Sequence, residues 1–342
     1  MTKTISIKKQ KFLNFSFKQH FSKMLFSSII FFLMLLIIMN PDIFSSSTIK
    51  GLKLFFYSVL PGLLPFMFLT KMLTELEIIF KITKKFSKFT KIFFGTSGLS
   101  LYCFFMSILS GYPIGAKIIY DLHSKKLISD NEAKKMSVFC TTSGPVFIIG
   151  AVGVGMLNSF KLGTIIYIAH ILSSLICGII YNIFTKRKFI PEIQTNTFSS
   201  TSKPMNIFSF CLSETINSLF LVGGYITIFY LLSETLDLLN IFTLLSNILT
   251  PTSKLLHIQN DQIKGVLYGI IEVTRGAKEL SLLNTIPTET ICAIISFSGI
   301  SIIMQSLAFL KPAKIKAHSF IFSKCVHCVL SFFICKLLII IL

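Results

Sequence analysis

The chain has 342 residues, 53% of them hydrophobic and 14% charged, with 36 phenylalanines, no tryptophan and a mean hydropathy of +0.76. Soluble domains carry about 25% charged and about 45–50% apolar residues, so the composition excludes an ordinary soluble domain; a backbone in lipid must close its own hydrogen bonds, which implies an all-α polytopic membrane protein. The net charge of +19 is almost all lysine, Arg187 and Arg275 being the only arginines, and these lysines sit in loops in the positive-inside pattern, without a nucleic-acid motif, so no nucleic-acid partner is expected.

The basic leader, with Lys3, Lys8, Lys9, Lys11, Lys18 and Lys23, predicts a cytoplasmic N-terminus. The apolar run Met24 to Met39 lacks the small-x-small exit of a cleaved signal, so residues 1–49 read as a leader and anchor helix. A second run, Lys50 to about Thr74, returns through Pro61-Gly62-Leu63-Leu64-Pro65 to an inside loop with Lys81, Lys84, Lys85, Lys88 and Lys91. The segment Leu99 to Tyr120 is interrupted by Gly111-Tyr112-Pro113 and flanked by lysines on both sides. A single span would put one lysine cluster outside; a re-entrant hairpin with Gly and Pro at its tip keeps both inside. Ser129 or Asp130 caps the next helix, which runs from Asn131 to Met156 and is broken at Ser143-Gly144-Pro145, because Pro145 lacks an N–H and disfavours helix at Gly144. A span over about 162–184 closes the first repeat, residues 50–190, at Lys186, Arg187 and Lys188.

A polar linker, residues 191–204, precedes the second repeat, residues 205–342. A span over about 213–233 exits toward Glu234 and Asp237, leaving the weakly charged stretch 234–263 outside. Val266 to Leu280 is too short and too charged to cross and reads as a second re-entrant hairpin, from the outside. Thr288 caps a span over about 289–310, broken at Ser298-Gly299 and ending at Lys311, Lys314 and Lys316; a last span, about 318–342, exits.

The halves share a pattern. Gly115-Ala116-Lys117 in the first hairpin matches Gly276-Ala277-Lys278 in the second, and each is followed by a span with a Ser-Gly break. The fold expected is therefore an inverted repeat with two re-entrant hairpins and two broken transmembrane helices, an arrangement of secondary transporters in which substrate sits between hairpin tips and breaks. The run Gly150 to Gly155 lies inside a span with no strand before it, which assigns it to helix packing rather than to a dinucleotide.

At GYPIGAK and at FCTTSGPVFIIGAVGVGM, residues Phe139 to Met156, the chain resembles the YlbJ or SpoVV type of sporulation integral membrane protein, in the nucleoside-recognition "Gate" class, similar to concentrative nucleoside transporters. The resemblance covers Lys50 to the end. It implies export of dipicolinic acid from the mother cell across the outer forespore membrane. A flat aromatic dianion favours helix N-termini, hydroxyls and one or two cations. Candidate substrate contacts are Gly111, Tyr112, Pro113, Gly115 and Lys117 on the first hairpin, and Glu272, Thr274, Arg275, Gly276 and Lys278 on the second. The breaks add Thr141, Thr142, Ser143, Gly144, Ser298 and Gly299. Arg275 is weighed between anion contact and a plain intrahelical pair with Glu272, and Lys117 between contact and snorkelling; Glu214 and His170 read as packing or interfacial, Lys324 and Lys336 as snorkelling.

The alternatives are a nucleoside or nucleobase carrier and a non-transporting sporulation membrane scaffold. No nucleophile, base or metal constellation is spelled out: the six histidines are scattered, and Cys325 and Cys328 form one CxxC without a second pair. Neither an enzyme nor a cofactor or metal is expected. The partners expected are a small anion and the bilayer, with homo-oligomerisation and the coupling ion left open.

Overall fold

The computed structural model describes residues 23–25, 27–75, 78–185, 204–255 and 259–342. The leader lysines before Lys23, the basic cluster at 186–188 and the linker up to residue 203 lie outside the described residues. Helices make up the regular structure of the described residues, with no strand among them, and the protein is an all-α polytopic membrane protein. The chain divides into two compact units, Met1–Ile49 and Lys50–Leu342. The first contains α1 (Lys23–Met39), whose Met24, Phe31, Met34 and Ile38 are exposed apolar side chains.

The helices that follow are α2 (Pro41–Lys53), a wide π-type segment (Leu54–Val59), α3 (Leu60–Glu75), α4 (Ile78–Phe94), α5 (Leu99–Ser110), α6 (Ile114–Ser124), α7 (Asp130–Phe139), a second π-type segment (Val146–Met156) and α8 (Phe160–Phe184). The second half holds α9 (Pro204–Leu238), α10 (Ile241–Leu255), α11 (Asn260–Ile271), α12 (Val273–Ser281), α13 (Thr288–Phe297), α14 (Gly299–Leu310) and α15 (Ala317–Ile341). The two series run in the same order: a helix, an amphipathic helix, a hairpin, a broken helix and a closing helix. The first π-type segment lies just before Pro61 and Pro65, whose rings and missing N–H groups disrupt the regular ladder one turn back, so a wider turn takes up the mismatch.

Among the described residues four segments are long and apolar enough to cross a bilayer, Phe160–Phe184, Ile207–Leu238, Thr288–Leu310 and Ala317–Ile341, and two bent helix pairs would bring the number to six if each pair is one span. The third contains the Ser298 break. Large apolar side chains such as Phe184, Phe220, Phe322 and Phe333 stand on the outside, as a lipid solvent requires.

Two stretches depart from the sequence reading. The lysine-rich segment expected as an inside loop is the amphipathic helix α4, which meets α5 at 82° rather than continuing it. The stretch 234–263 likewise holds α10 and the start of α11, so the second hairpin begins at Asn260 instead of Val266. Both helices interleave polar residues with apolar ones at helical spacing, which makes them too polar to cross and well suited to an interface.

Side-chain bonds fix where each hairpin starts and ends. The Ser97 N–H, just before α5, donates to Glu132 of α7 at 2.6 Å; the Asn182 amide at the end of α8 donates to the Phe93 carbonyl and accepts from Lys135 of α7 at 2.8 Å. At the far end of α6, Lys125 pairs with Glu75, and Asp130 at the start of α7 pairs with Lys314 after α14. In the second half Gln262 of α11 donates to Thr290 of α13, the helix that follows α12. Each hairpin thus returns to the end of the molecule from which it started.

Candidate functional site

Each hairpin tip abuts the break of its own half. Gly111 ends α5 with φ +85°, and a Cβ placed there would lie 2.6 Å from the Gly144 amide nitrogen; only glycine fits both the backbone and the gap. In the second half Gly299, at φ +66°, lies against the Gly269 carbonyl and the Val273 amide at the other tip. Gly115 and Gly276, each four residues after its tip, make the inner contacts: Gly115 faces the Cys140 carbonyl, and Gly276 faces the backbone of Gly269. Pro113 follows Tyr112 through a cis peptide bond and precedes α6.

The halves meet through side chains. The Tyr112 hydroxyl, on the first tip, accepts from Ser298 of the second break at 2.7 Å and from Nζ of Lys324, on α15, at 3.0 Å. Lys324 also donates to the Thr141 carbonyl in the first break. Beside it, Nε2 of His170 on α8 accepts from the Ser143 N–H at 2.9 Å, and its Nδ1 bonds the Ser296 hydroxyl at 2.8 Å. His327 on α15 donates from Nε2 to the His170 carbonyl, with the two rings 4.7 Å apart. Thr142 bonds Ser107 of α5 at 2.9 Å, while the Thr141 hydroxyl turns back to the Ser137 carbonyl. The first turns of the second π-type segment and of α14 both lack a side-chain cap, so two helix N-termini bring their positive dipole ends to the same region.

Of the sequence candidates, Gly111, Tyr112, Pro113, Gly115, Thr141, Thr142, Ser143, Gly144, Ser298 and Gly299 are gathered at this junction. Glu272 and Thr274 shape the second tip, where both carboxylate oxygens of buried Glu272 cap α12 by accepting the Thr274 and Arg275 N–H groups. The Arg275 guanidinium does not pair with the Glu272 carboxylate. It reaches α9, bonding Ser233 and Asp237, each at 2.9 Å, near Glu234 and stacked on Tyr268. Lys117 pairs with Asp121 and with Glu214 of α9, in a recess that also holds Lys71. Lys278 is exposed at the far end of α12.

Lys324 corrects the expectation of snorkelling, and His170 that of a packing residue: both are buried and bridge the breaks. The signal was present in the pattern of α15, where Phe320, Lys324, His327, Ser331 and Cys335 recur at three- and four-residue spacing and form its buried face. On an apolar helix, a polar stripe of that kind must face protein. His170 and His327 also hold equivalent positions, each ten residues after the first residue of a 25-residue helix.

No family model matches the chain, and no solved structure matches it. Over 323 residues, 88% of this chain and 79% of the relative, it is 25% identical to the sporulation integral membrane protein YlbJ of Bacillus subtilis (strain 168). The chain resembles the YlbJ type along most of its length. The YlbJ-like span takes in both hairpins and both breaks at that coverage, and the relative's integral-membrane name agrees with the apolar helices described above.

Proposed function

We propose that this protein is a carrier of a small aromatic carboxylate, dipicolinate, acting in sporulation at the outer forespore membrane. The observation that carries the reading is the Lys324 ammonium: 1% exposed, placed where the first tip meets both breaks, and bonded to two neutral oxygens, with no carboxylate in ion-pair distance among the described residues. A desolvated cation without a counter-ion is costly, and an anionic ligand beside it removes much of that cost. Tyr112 supplies an aromatic face, its ring 4.8 Å from Nζ, and the two uncapped helix N-termini supply positive dipole ends for a second carboxylate. The likeness to YlbJ supports the setting in sporulation. Alternating access then requires the Gly111–Gly144 and Gly269–Gly299 contacts to part in turn.

Lys324→Met tests it, because the thioether fills much of the same apolar volume without the charge. Removing one partner of a buried charge pair costs on the order of 2–5 kcal/mol, so dipicolinate should bind at least about thirtyfold more weakly. The neutral dicarboxamide should lose far less. Equal binding of dianion and diamide by the native protein, or nucleosides that displace dipicolinate at low concentration, would favour the nucleoside carrier instead.

A further inference from the structure

We infer that the His170–His327 pair is a proton-binding site, loaded at Nδ1 of His327, which couples proton movement to the anion. The inference rests on the carrier reading above and adds its ion. The hydrogen bonds fix both tautomers. A backbone N–H can only donate, so Nε2 of His170, which accepts from Ser143, holds a lone pair, and Nδ1 carries the hydrogen given to Ser296. A carbonyl can only accept, so Nε2 of His327 carries its hydrogen toward the His170 carbonyl. The neutral ring of His327 then has its lone pair on Nδ1, and that atom is fully buried with no hydrogen-bond partner among the described residues.

Protonating His170 instead would turn its Nε2 into a donor facing the Ser143 N–H and release the first break. His327 can take the proton with every existing bond intact. A proton drawn from the aqueous side adds to the Nδ1 lone pair and leaves an imidazolium that still donates from Nε2. With the rings 4.7 Å apart, the second histidine stays neutral while the first is charged.

The groups around the pair decide when the proton is held. Lys324, one turn earlier on α15, repels it; Cys177 on α8, Cys292 on α13, Cys328 and Cys335 on α15 and the Tyr112 hydroxyl at the first tip are neutral titratable groups of the same elements. The carboxylates of the packed helices are engaged or distant: Glu132 of α7 holds the Ser97 N–H, Asp130 pairs with His123 and Lys314, and Glu289 lies in the first turn of α13, about two turns from Ser296. The compensating charge therefore has to come from the substrate. A dianion beside the Lys324 ammonium and one imidazolium sum to zero, so proton and anion bind cooperatively, each raising the affinity for the other.

The full-length protein in liposomes, with labelled dipicolinate and a trapped pH dye, tests this after subtraction of protein-free vesicles. Imposing one pH unit, acid outside, should raise native accumulation about tenfold for each proton moved, with internal acidification that depends on dipicolinate. His327→Gln keeps a donor for the His170 carbonyl and has no proton site; the ratio of gradient-driven uptake to counterflow should fall about tenfold and the acidification should vanish. Native counterflow that ignores the gradient, or gradient stimulation that survives in His327→Gln, overturns the inference while the carrier reading stands. Absence of native counterflow overturns both.

Discussion

Gly115 shows how little room the first hairpin leaves. A Cβ there would lie 1.7 Å from the Cys140 carbonyl oxygen and 2.8 Å from the Ser107 hydroxyl, so the smallest substitution collides with backbone that cannot turn aside. Overpacking of this kind costs about 1–3 kcal/mol. Gly115→Ala should accordingly lower the melting temperature in detergent. Gly150, in the second π-type segment, is the control: nothing lies within 4 Å of a Cβ there, and Gly150→Ala should stay within about 0.5 kcal/mol of the native protein. Equal melting temperatures for the two variants would mean that Gly115 does not hold the arm of the hairpin against the break.

At the scale of elements, α5 and α6 together pass fewer residues than two full crossings need, and both of their outer ends are bonded to the same group of helix termini, Glu132, Asn182 and Glu75 among them. A helix of 12 residues advances about 18 Å, roughly half of a bilayer with its headgroups. Lys91, near the end of α4, and Lys126, just after α6, are both exposed. Single cysteines at these two positions should react with an impermeant maleimide from one side of the membrane, the cytoplasmic side by the lysine bias. Reaction from opposite sides would make α5 and α6 one crossing. The same experiment at Asn284 and Gln262 asks the question of the second hairpin, and both should label from the face opposite to Lys91.

Across the Lys50–Leu342 unit, α9 ties the two hairpins to one rod. Near its start Glu214 holds Lys117 of α6 at 3.4 Å; near its end Asp237 and Glu234 hold Arg275 of α12, with Tyr268 of α11 donating to the other oxygen of Asp237. These pairs hold the hairpin arms, so Arg275 is assigned to architecture rather than to reading substrate charge. The consequence is measurable by a double-mutant cycle in thermal unfolding. Arg275→Gln and Asp237→Asn should each destabilise, and together they should cost less than the sum, with a coupling of about 0.5–3 kcal/mol. Strict additivity would remove the pair as a structural tie. Glu272→Gln should not offset the loss in Arg275→Gln, because the Glu272 carboxylate caps α12 and does not meet the guanidinium.

The sequence by itself determined the class, the order of the hairpins and broken helices, and the four discontinuities. Apolar run length, glycine and proline at Gly111, Pro113, Gly144 and Pro145, the Ser298-Gly299 pair, and lysine bias are local quantities, and backbone chemistry converts them into helix ends without help from the rest of the chain. The amphipathic helices α4 and α10 were missed because a polar helix at an interface has the composition of a loop. The assignment of charges was decided only by tertiary structure. Lys117 and Arg275 lie in hairpin motifs and read as ligands, yet α9 supplies each of them with a carboxylate. Lys324 and His327 belong to a polar stripe on an otherwise apolar helix, which marks them as facing protein but does not name their partners; packing against α7, α8 and α13 supplies those and seals the stripe from water. Whether a cation is free or engaged depends on groups that are about a hundred or more residues away in Lys117 and Lys324, and a desolvated charge takes its meaning from whichever partner the fold brings within reach.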